Sequence, residues 1–398
     1  MKKILIFKLN KIAYDSTEVF ADVLGKHLGT LGAKVEFFDA SKHSIDDLEK
    51  LSGKKFDAVI DFNSKLPDYV NEDGSCFLNE IDAPFFNYIL DHPIYHHAHL
   101  RRNVNNYNVI CVDEDHCSYI KRYYPDIKRT FMIPLGAISY KQIDYINGID
   151  CKMDEYQEDC RGRENNRKYA VVFPASYLNP DDYYEIINNM PYDYKKDVFE
   201  IADILINNPE KNYEEAVKCV KGNILPDTED SSVLMQMYFL SDIYARACIR
   251  KKIIEAVVSS KVPVLLFGEN FENSGMGEFE NVTIGKQLSY GDSIRIMRQS
   301  QYILNVMPLF KAGIHDRVMN AMINGAVSIT DANPFMRDNF EKNKDYIEFS
   351  TIENDKIPYI INDIYKDKER TSAIAQAAGK KIKEYTFRQV AKKVLSII

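Results

Sequence analysis

The sequence predicts an α/β protein built from two doubly wound parallel sheets, and three observations carry that expectation. The chain has 398 residues, more than one hydrophobic core serves, because cores stop growing near roughly 250–300 residues. The first 135 residues alternate short β-rich apolar runs with helix-patterned segments, the order that gives a parallel sheet covered by helices. That alternation stops at GIDCKMDEYQEDCRGRENNRK, residues 148–168, which is polar, has no apolar period and reads as a linker; a second strand pattern, YAVVFPASY, then begins.

In the first half, KILIFKL is strand one and STEVFADVLGKHLGTLG a helix with a Ser or Thr cap and a glycine near its end. KVEFFDA, FDAVIDFNS, APFFNYILD, NVICVDE and RTFMIPLG follow as strands two to six. In the second half, residues 180–260 are mostly helical, with SSVLMQMYFLSDIYARACIRKKIIEAVVSS as one long helix. Its Tyr, Phe and Met at helical spacing read as core or as a face for a homo-oligomer. Strands return at VPVLLFG, NVTIGK, QYILNVM and AVSITD, with DSIRIMRQS and HDRVMNAMIN as helices between them, and SAIAQAAGKKIKEYTFRQVAKKVLSII is helical throughout. The expected domains are 1–160, Rossmann-like, and 166–380, Rossmann-like with the helical segment 180–260 inside it; the last helix, about 380–398, crosses back to the first. Two such halves place a ligand cleft between the carboxyl ends of their strands.

Composition narrows the class. At 45% hydrophobic and 28% charged, with no low-complexity tract, the chain is globular. A net charge of -8 argues against a surface built for nucleic acid, which needs clustered Lys and Arg. MKKILIFKLN lacks a long apolar region and a small-residue cleavage site, and no later run approaches the roughly 18 apolar residues of a membrane span, so a cytoplasmic protein is expected. The seven cysteines are scattered with no CxxC pair, as reduced thiols are. Neither a Walker A sequence nor GxGxxG occurs, which leaves ATPase and nicotinamide-dehydrogenase functions without a phosphate cradle.

The most informative segment is SQYILNVMPLFKAGIHDRVMNAMINGAVSITD, residues 300–331. It reads as strand, loop, helix from about Asp316, glycine turn at Gly325, strand. The loop KAGIHDR therefore sits at a strand's carboxyl end and on a helix N-terminus, where N–H groups and the dipole favour a diphosphate. His315 and Arg317 flank that start. Arg317 either forks onto phosphate oxygens or pairs with a carboxylate such as Asp316 or Asp331.

This block, with YAVVFPASYLNP and DHPIYHH, resembles the group 1 glycosyltransferases, most closely the branch related to the spore-maturation protein CgeB. The resemblance implies a GT-B fold and transfer of a sugar from a nucleotide diphosphate, UDP-sugars foremost, with no essential metal or other cofactor. It places Gly268, Glu269 and Asn270, the loop residues Gln287, Leu288, Ser289 and Tyr290, and Gly313, His315, Arg317 and Asn320 at the donor. It also shows a departure: group members carry a pair of glutamates flanking this helix, and the positions that align here are Ala312 and Asn320. Asn320 can still reach a ribose hydroxyl, but the stereochemistry does not carry over.

In DHPIYHHAHLRR, residues 91–102, four of the eight histidines fall together. Pro93 is placed to start a helix carrying His96, His97 and His99, with His92 and His96, and His96 and His99, at same-face spacing. A metal site ranks last, because carboxylate or cysteine partners at ligand spacing are absent. Two readings stay open: a proton-handling pair, Asp91 and His92, acting on an acceptor hydroxyl, or a packed structural element. The expected function is a metal-independent glycosyltransferase, a hexosyltransferase, acting on a glycan, protein or small-molecule acceptor. The alternatives are a GT-B epimerase or hydrolase, and a catalytically silent nucleotide-sugar-binding or scaffold subunit.

Overall fold

The computed structural model describes residues 1–9, 15–149, 167–222 and 229–398; nearly all of the expected linker, with Cys151 and Cys160, lies outside them. The chain divides into two compact units, Met1–Gly136 with Leu225–Gln236 and Thr386–Ile398, and Ala137–Ile224 with Met237–Tyr385.

The first unit holds β1 (Lys3–Lys8), β2 (Lys34–Asp39), β3 (Ala58–Phe62), β4 (Phe85–Ile89), β5 (Tyr107–Cys111) and β6 (Arg129–Met132), in sheet order β2-β1-β3-β4-β5-β6. All neighbours pair in parallel. β3, β4 and β5 are buried at every position, which is why they appear in the sequence as mostly apolar runs without alternation, each broken by one buried polar residue, Asp61, Asn87 or Asn108. Helix Ser16–Thr30 covers one face, and its Gly25 makes room for the Phe37 ring, which a Cβ would meet at 2.3 Å.

The second unit holds β7 (Tyr169–Pro174), β8 (Val264–Phe267), β9 (Val282–Gly285), β10 (Ser300–Asn305), β11 (Val327–Asp331) and β12 (Ile347–Phe349), in order β12-β11-β10-β7-β8-β9 and again parallel. Its core joins Val171 and Phe173 of β7 to Leu266, Leu304 and Ile329 on the neighbouring strands and to Ile253 and Val257 of helix Phe239–Ser259. Among the described residues, no helix is long and apolar enough to cross a membrane.

Several local expectations need correction. The first helix is entered through Asp15 in a left-handed conformation with no side-chain cap bond, instead of a Ser or Thr cap. The long central helix is two, Glu229–Met237 and Phe239–Ser259, parted at Tyr238, whose carbonyl accepts the Ser241 hydroxyl at 2.7 Å. The C-terminal segment breaks at Thr386, extended at φ −86° and ψ 160°, between a 3-10 turn and helix Phe387–Ile397. β12, three residues at the sheet edge, is too short to show a period.

That last helix belongs to the first unit. A Cβ on Gly136 would lie 2.2 Å from the Phe387 nitrogen, Lys2 Nζ donates to the Leu395 carbonyl at 2.9 Å, and the Phe387 ring stacks on Phe20 at 6.0 Å. Phe387 is fully buried. Phe387→Ala should therefore cost about 3–5 kcal/mol, read as a lower urea midpoint; a loss below about 1 kcal/mol would mean that the helix does not stabilise this unit.

Candidate functional site

In the second sheet the chain lays down β7, β8 and β9 in one direction, then returns to place β10 on the other side of β7. The carboxyl ends of β7 and β10 thus form a topological switch point, where open α/β sheets take their ligands. Beyond β10 the chain enters helix Asp316–Ile323 through His315, the N-cap residue, whose Nδ1 accepts the Arg317 N–H at 3.1 Å. The same Nδ1 lies 3.0 Å from Asp316 Oδ1. A neutral ring caps the helix, and a protonated one pairs with Asp316. In both states Nε2 carries a proton, and no described residue accepts it, so the imidazole adds a donor to the open N–H groups of the first turn.

Asp316 anchors this start. Its Oδ2 accepts the Tyr290 hydroxyl at 2.6 Å and the Asn320 amide at 3.1 Å. Burial alone would push the Asp316 carboxyl up, but His315, the Tyr290 hydroxyl and Arg317 together hold it well below the usual carboxylate range. Burial, and then the Asp316 charge, push the Tyr290 hydroxyl well above an ordinary phenol. Asn320 also donates to Tyr290 at 2.7 Å and accepts the Ile138 N–H at 2.8 Å. It is fully buried, which corrects the expectation that it meets a ribose hydroxyl: on the helix, residues 316, 320 and 324 share one face, and Asn320 and Asn324 on that face are spent on Tyr290, Ile138 and Tyr140.

The other expected residues lie along the same edge. Gly268, at φ +141°, follows β8 where a Cβ would lie 2.5 Å from the Ala175 backbone; the loops after β7 and β8 touch main chain to main chain, so glycine is required. Tyr177 N–H donates to the Glu269 carbonyl at 2.9 Å, and the Asn270 amide reaches the Tyr177 carbonyl at 3.4 Å. Gln287 donates to the Glu269 carboxylate at 3.0 Å, tying in the loop after β9, where Leu288 is half-buried. Ser289 caps helix Tyr290–Arg298, and the Gly313 carbonyl accepts the Asn333 amide at 3.1 Å.

Arg250 has no place among the expected residues, yet it stands at the switch point. Its Nη1 donates to the Ser176 carbonyl at 3.1 Å, Nη2 lies 3.9 Å from Met307 Sδ, and Nε has no partner. The guanidinium lies 5.9 Å from the Phe173 ring centre, and that of Arg317 lies 5.6 Å from the same ring. Arg317 Nη1 donates to Asn305 at 2.8 Å. Burial first, then the Arg317 charge, push Arg250 down to about 9. No described carboxylate forms an ion pair with Arg250. A signal for it exists in the sequence: Ala247, Arg250, Ile254 and Val257 share the spacing of a buried helical stripe, and all four are buried.

In the first unit, Asp91 leaves β4 with Oδ2 accepting the Asn63 amide at 2.9 Å. Asn63, at the end of β3 and at φ +46°, is locked by accepting the Leu90 N–H at 2.8 Å, so it aims the carboxylate. His92 is an N-cap: its Nδ1 accepts the Ile94 N–H at 3.2 Å, and its ring meets His116 and Tyr119 edge-on at 4.8 Å. The expected histidine helix is a 3-10 turn, Pro93–His96, followed by a single turn, His97–Leu100. The rings diverge, with His97 3.0 Å from the Tyr124 hydroxyl and His99 2.7 Å from the Asp68 carboxylate. Among the described residues, no group of three His, Cys, Asp or Glu is placed to hold a metal ion.

His96 is buried with Nε2 unbonded. Burial pushes it down to about 4, against a smaller opposing pull from Asp91. The unfolded chain takes up this proton near pH 6.5 and the folded chain only near 4, so the stabilisation is complete above 6.5 and is lost as pH falls between them. Unfolding free energy should drop by at most about 1.4 kcal/mol per pH unit over that window. In His96→Gln, urea titrations at a series of pH values should show a shallower slope.

Residues 246–396 match a family profile described as glycosyl transferase-like. No curated protein matches the sequence. Among solved structures, the chain is similar to Anabaena HepE in complex with UDP and glucose, with a TM-score of 0.53, 12% identity and 100% of each chain covered. It is similar to sucrose-phosphate synthase from Thermosynechococcus elongatus, at 0.53 and 10% identity over 100% of this chain and 98% of that one. A glycosyltransferase from Rickettsia africae aligns at 0.52 and 10%, over 100% and 97%. These likenesses establish the expected fold: two parallel sheets in the GT-B arrangement.

Proposed function

We propose that this GT-B protein is a glycosyltransferase that takes a sugar from a nucleotide diphosphate, a UDP-sugar foremost, and moves it to an acceptor hydroxyl. The observation that carries this reading is the pair Arg250 and Arg317, each within 6 Å of the centre of the same ring, Phe173, at the switch point. Two cations held close in a poorly hydrated place repel each other, and an anion seated between them removes that cost. Guanidinium forks suit phosphate oxygens, and the His315 Nε2–H and the N–H groups of the helix start add donors. The glycosyl transferase-like match spans both arginines, and the similar HepE structure contains UDP; both support a nucleotide diphosphate as the anion.

In the reaction, the bond between the anomeric carbon and the diphosphate oxygen breaks, and negative charge grows on the departing diphosphate. Arg250 and Arg317 stabilise that charge, supplying what a divalent metal would otherwise supply, so no metal is needed. The acceptor oxygen bonds to the anomeric carbon and its proton goes to a base. Asp91 is assigned that role, oriented by Asn63, with His92 beside it; because the cap bond occupies His92 Nδ1, the carboxylate is the stronger base candidate. The motif in β10 and the following helix supports the CgeB-like branch, and the unpaired cysteines among the described residues suit a cytoplasmic location. A catalytically silent binding subunit is the second reading, favoured by the absence of carboxylates at Ala312 and Asn320.

Arg317→Ala should lower UDP-sugar turnover roughly 100- to 1,000-fold, followed as UDP release. Arg250→Met should weaken UDP binding by about tenfold or more in calorimetry, without the folding penalty of a buried charge. EDTA should leave wild-type turnover unchanged. Unaltered UDP affinity in Arg250→Met would remove the diphosphate from this site, and donor binding without turnover would establish the silent subunit.

A further inference from the structure

A cavity opens on the same edge of this sheet, between the loop after β10 and the ends of β11 and β12, with a volume of about 570 Å³. That is the size of a small-molecule pocket. On its floor Asp331 is 4% exposed, and Oδ1 accepts the Met307 N–H at 3.0 Å. The Thr330 hydroxyl donates to the same oxygen at 3.4 Å. Burial, the largest effect, pushes the carboxyl up, while Asp331's own N–H and the Lys311 charge favour the carboxylate. A buried carboxylate that lines a cavity has acceptor capacity left for the donors of a ligand. Phe349 and Pro308 supply apolar wall and Thr351 a hydroxyl. At the rim, Arg337 and Lys342 share a single carboxylate, Glu348, at 3.3 and 3.0 Å, so two cationic side chains stand together there, opposite the Lys356–Glu353 pair.

We propose that this cavity binds a monosaccharide or its phosphate ester, separately from the diphosphate site. The shared chemistry is a ring whose hydroxyls donate to Asp331 and whose C–H face lies on apolar wall; a phosphate, where present, meets the Arg337 and Lys342 rim. The donor reading does not require this site, nor the site the donor reading. The two are linked through one wall, because Asp331 holds Met307, and Asn333 holds the Phe310 and Gly313 carbonyls at 3.1 Å each, in the loop that leads to His315.

Calorimetric titration of the full chain with glucose and with glucose 6-phosphate tests it, with and without saturating UDP. At least one should bind, UDP should not displace it, and Thr351→Trp, which fills the cavity, should weaken it tenfold or more while leaving UDP affinity within twofold. Lys342→Glu, on the exposed rim, should weaken the phosphate ester more than the free sugar if the ester is the ligand, and serves as the second variant should Thr351→Trp fail to fold. Binding of neither compound, full binding in Thr351→Trp, or displacement by UDP would each overturn the proposal. So would a Thr351→Trp chain that loses affinity for UDP-glucose but not for UDP, since the cavity would then be the donor's own sugar pocket. Sugar binding in a chain that does not bind UDP would sink the donor reading and leave this one standing.

Discussion

A largely buried carboxylate, with 14% of its side chain exposed, organises the second unit. Asp316 draws the Tyr290 hydroxyl and the Asn320 amide onto one oxygen, and Asn320 passes the connection on to the Ile138 backbone. Helix Tyr290–Arg298, helix Asp316–Ile323 and the chain near Ile138 are thereby fixed to one another. A carboxylate can stay ionised where burial opposes it only if donors and cations surround it. Here they do, in His315, Tyr290 and Arg317. The helix start at the switch point is thus rigid before any ligand arrives, which is the condition for aiming hydrogen-bond donors at an anion without reorganisation.

The neighbouring positive charge has the opposite character. Arg250 is buried against Ser176, Met307 and Phe173 with its Nε unbonded, and Arg317 lies on the same ring. An unneutralised cation in such a place destabilises the fold, and a position of that kind persists where binding is the return. Asp316 and Arg250 divide the work: the first is surrounded by donors and cations and holds geometry, and the second, in no ion pair with a described carboxylate, is offered to an anion.

Much of the architecture is legible in the residues. Parallel strands buried on both faces are predominantly apolar without alternation, so KILIFK, FFNYI and YNVIC are readable as strands without a partner in view, even with Asn87 and Asn108 inside two of them. The helix start at His315 is readable because strand, loop and helix periods change within a few residues. Breaks inside helical text are not readable in this way. Tyr238 and Thr386 carry no Gly or Pro to mark them; the breaks arise from contacts such as the approach of Phe387 to Gly136. The histidine run shows the converse, since sequence proximity suggested convergence while the turn sends His97 and His99 to different partners.

By itself the sequence determined two parallel α/β units, the helix start carrying His315 and Arg317, and the glycine after β8, because each depends on local period or local backbone freedom. Tertiary structure alone decided which polar side chains remain available. Asn320 and Arg250 sit on helices with similar local signals. Packing satisfies both side-chain amide donors of the first with Tyr290 and Asp316 and leaves the second beside Arg317, in no ion pair with a described carboxylate and with only the smaller opposing pull of Asp331. Whether a buried polar group is structural or functional depends on what distant segments bring to it, and that pairing is fixed by three-dimensional packing, not by position along the chain.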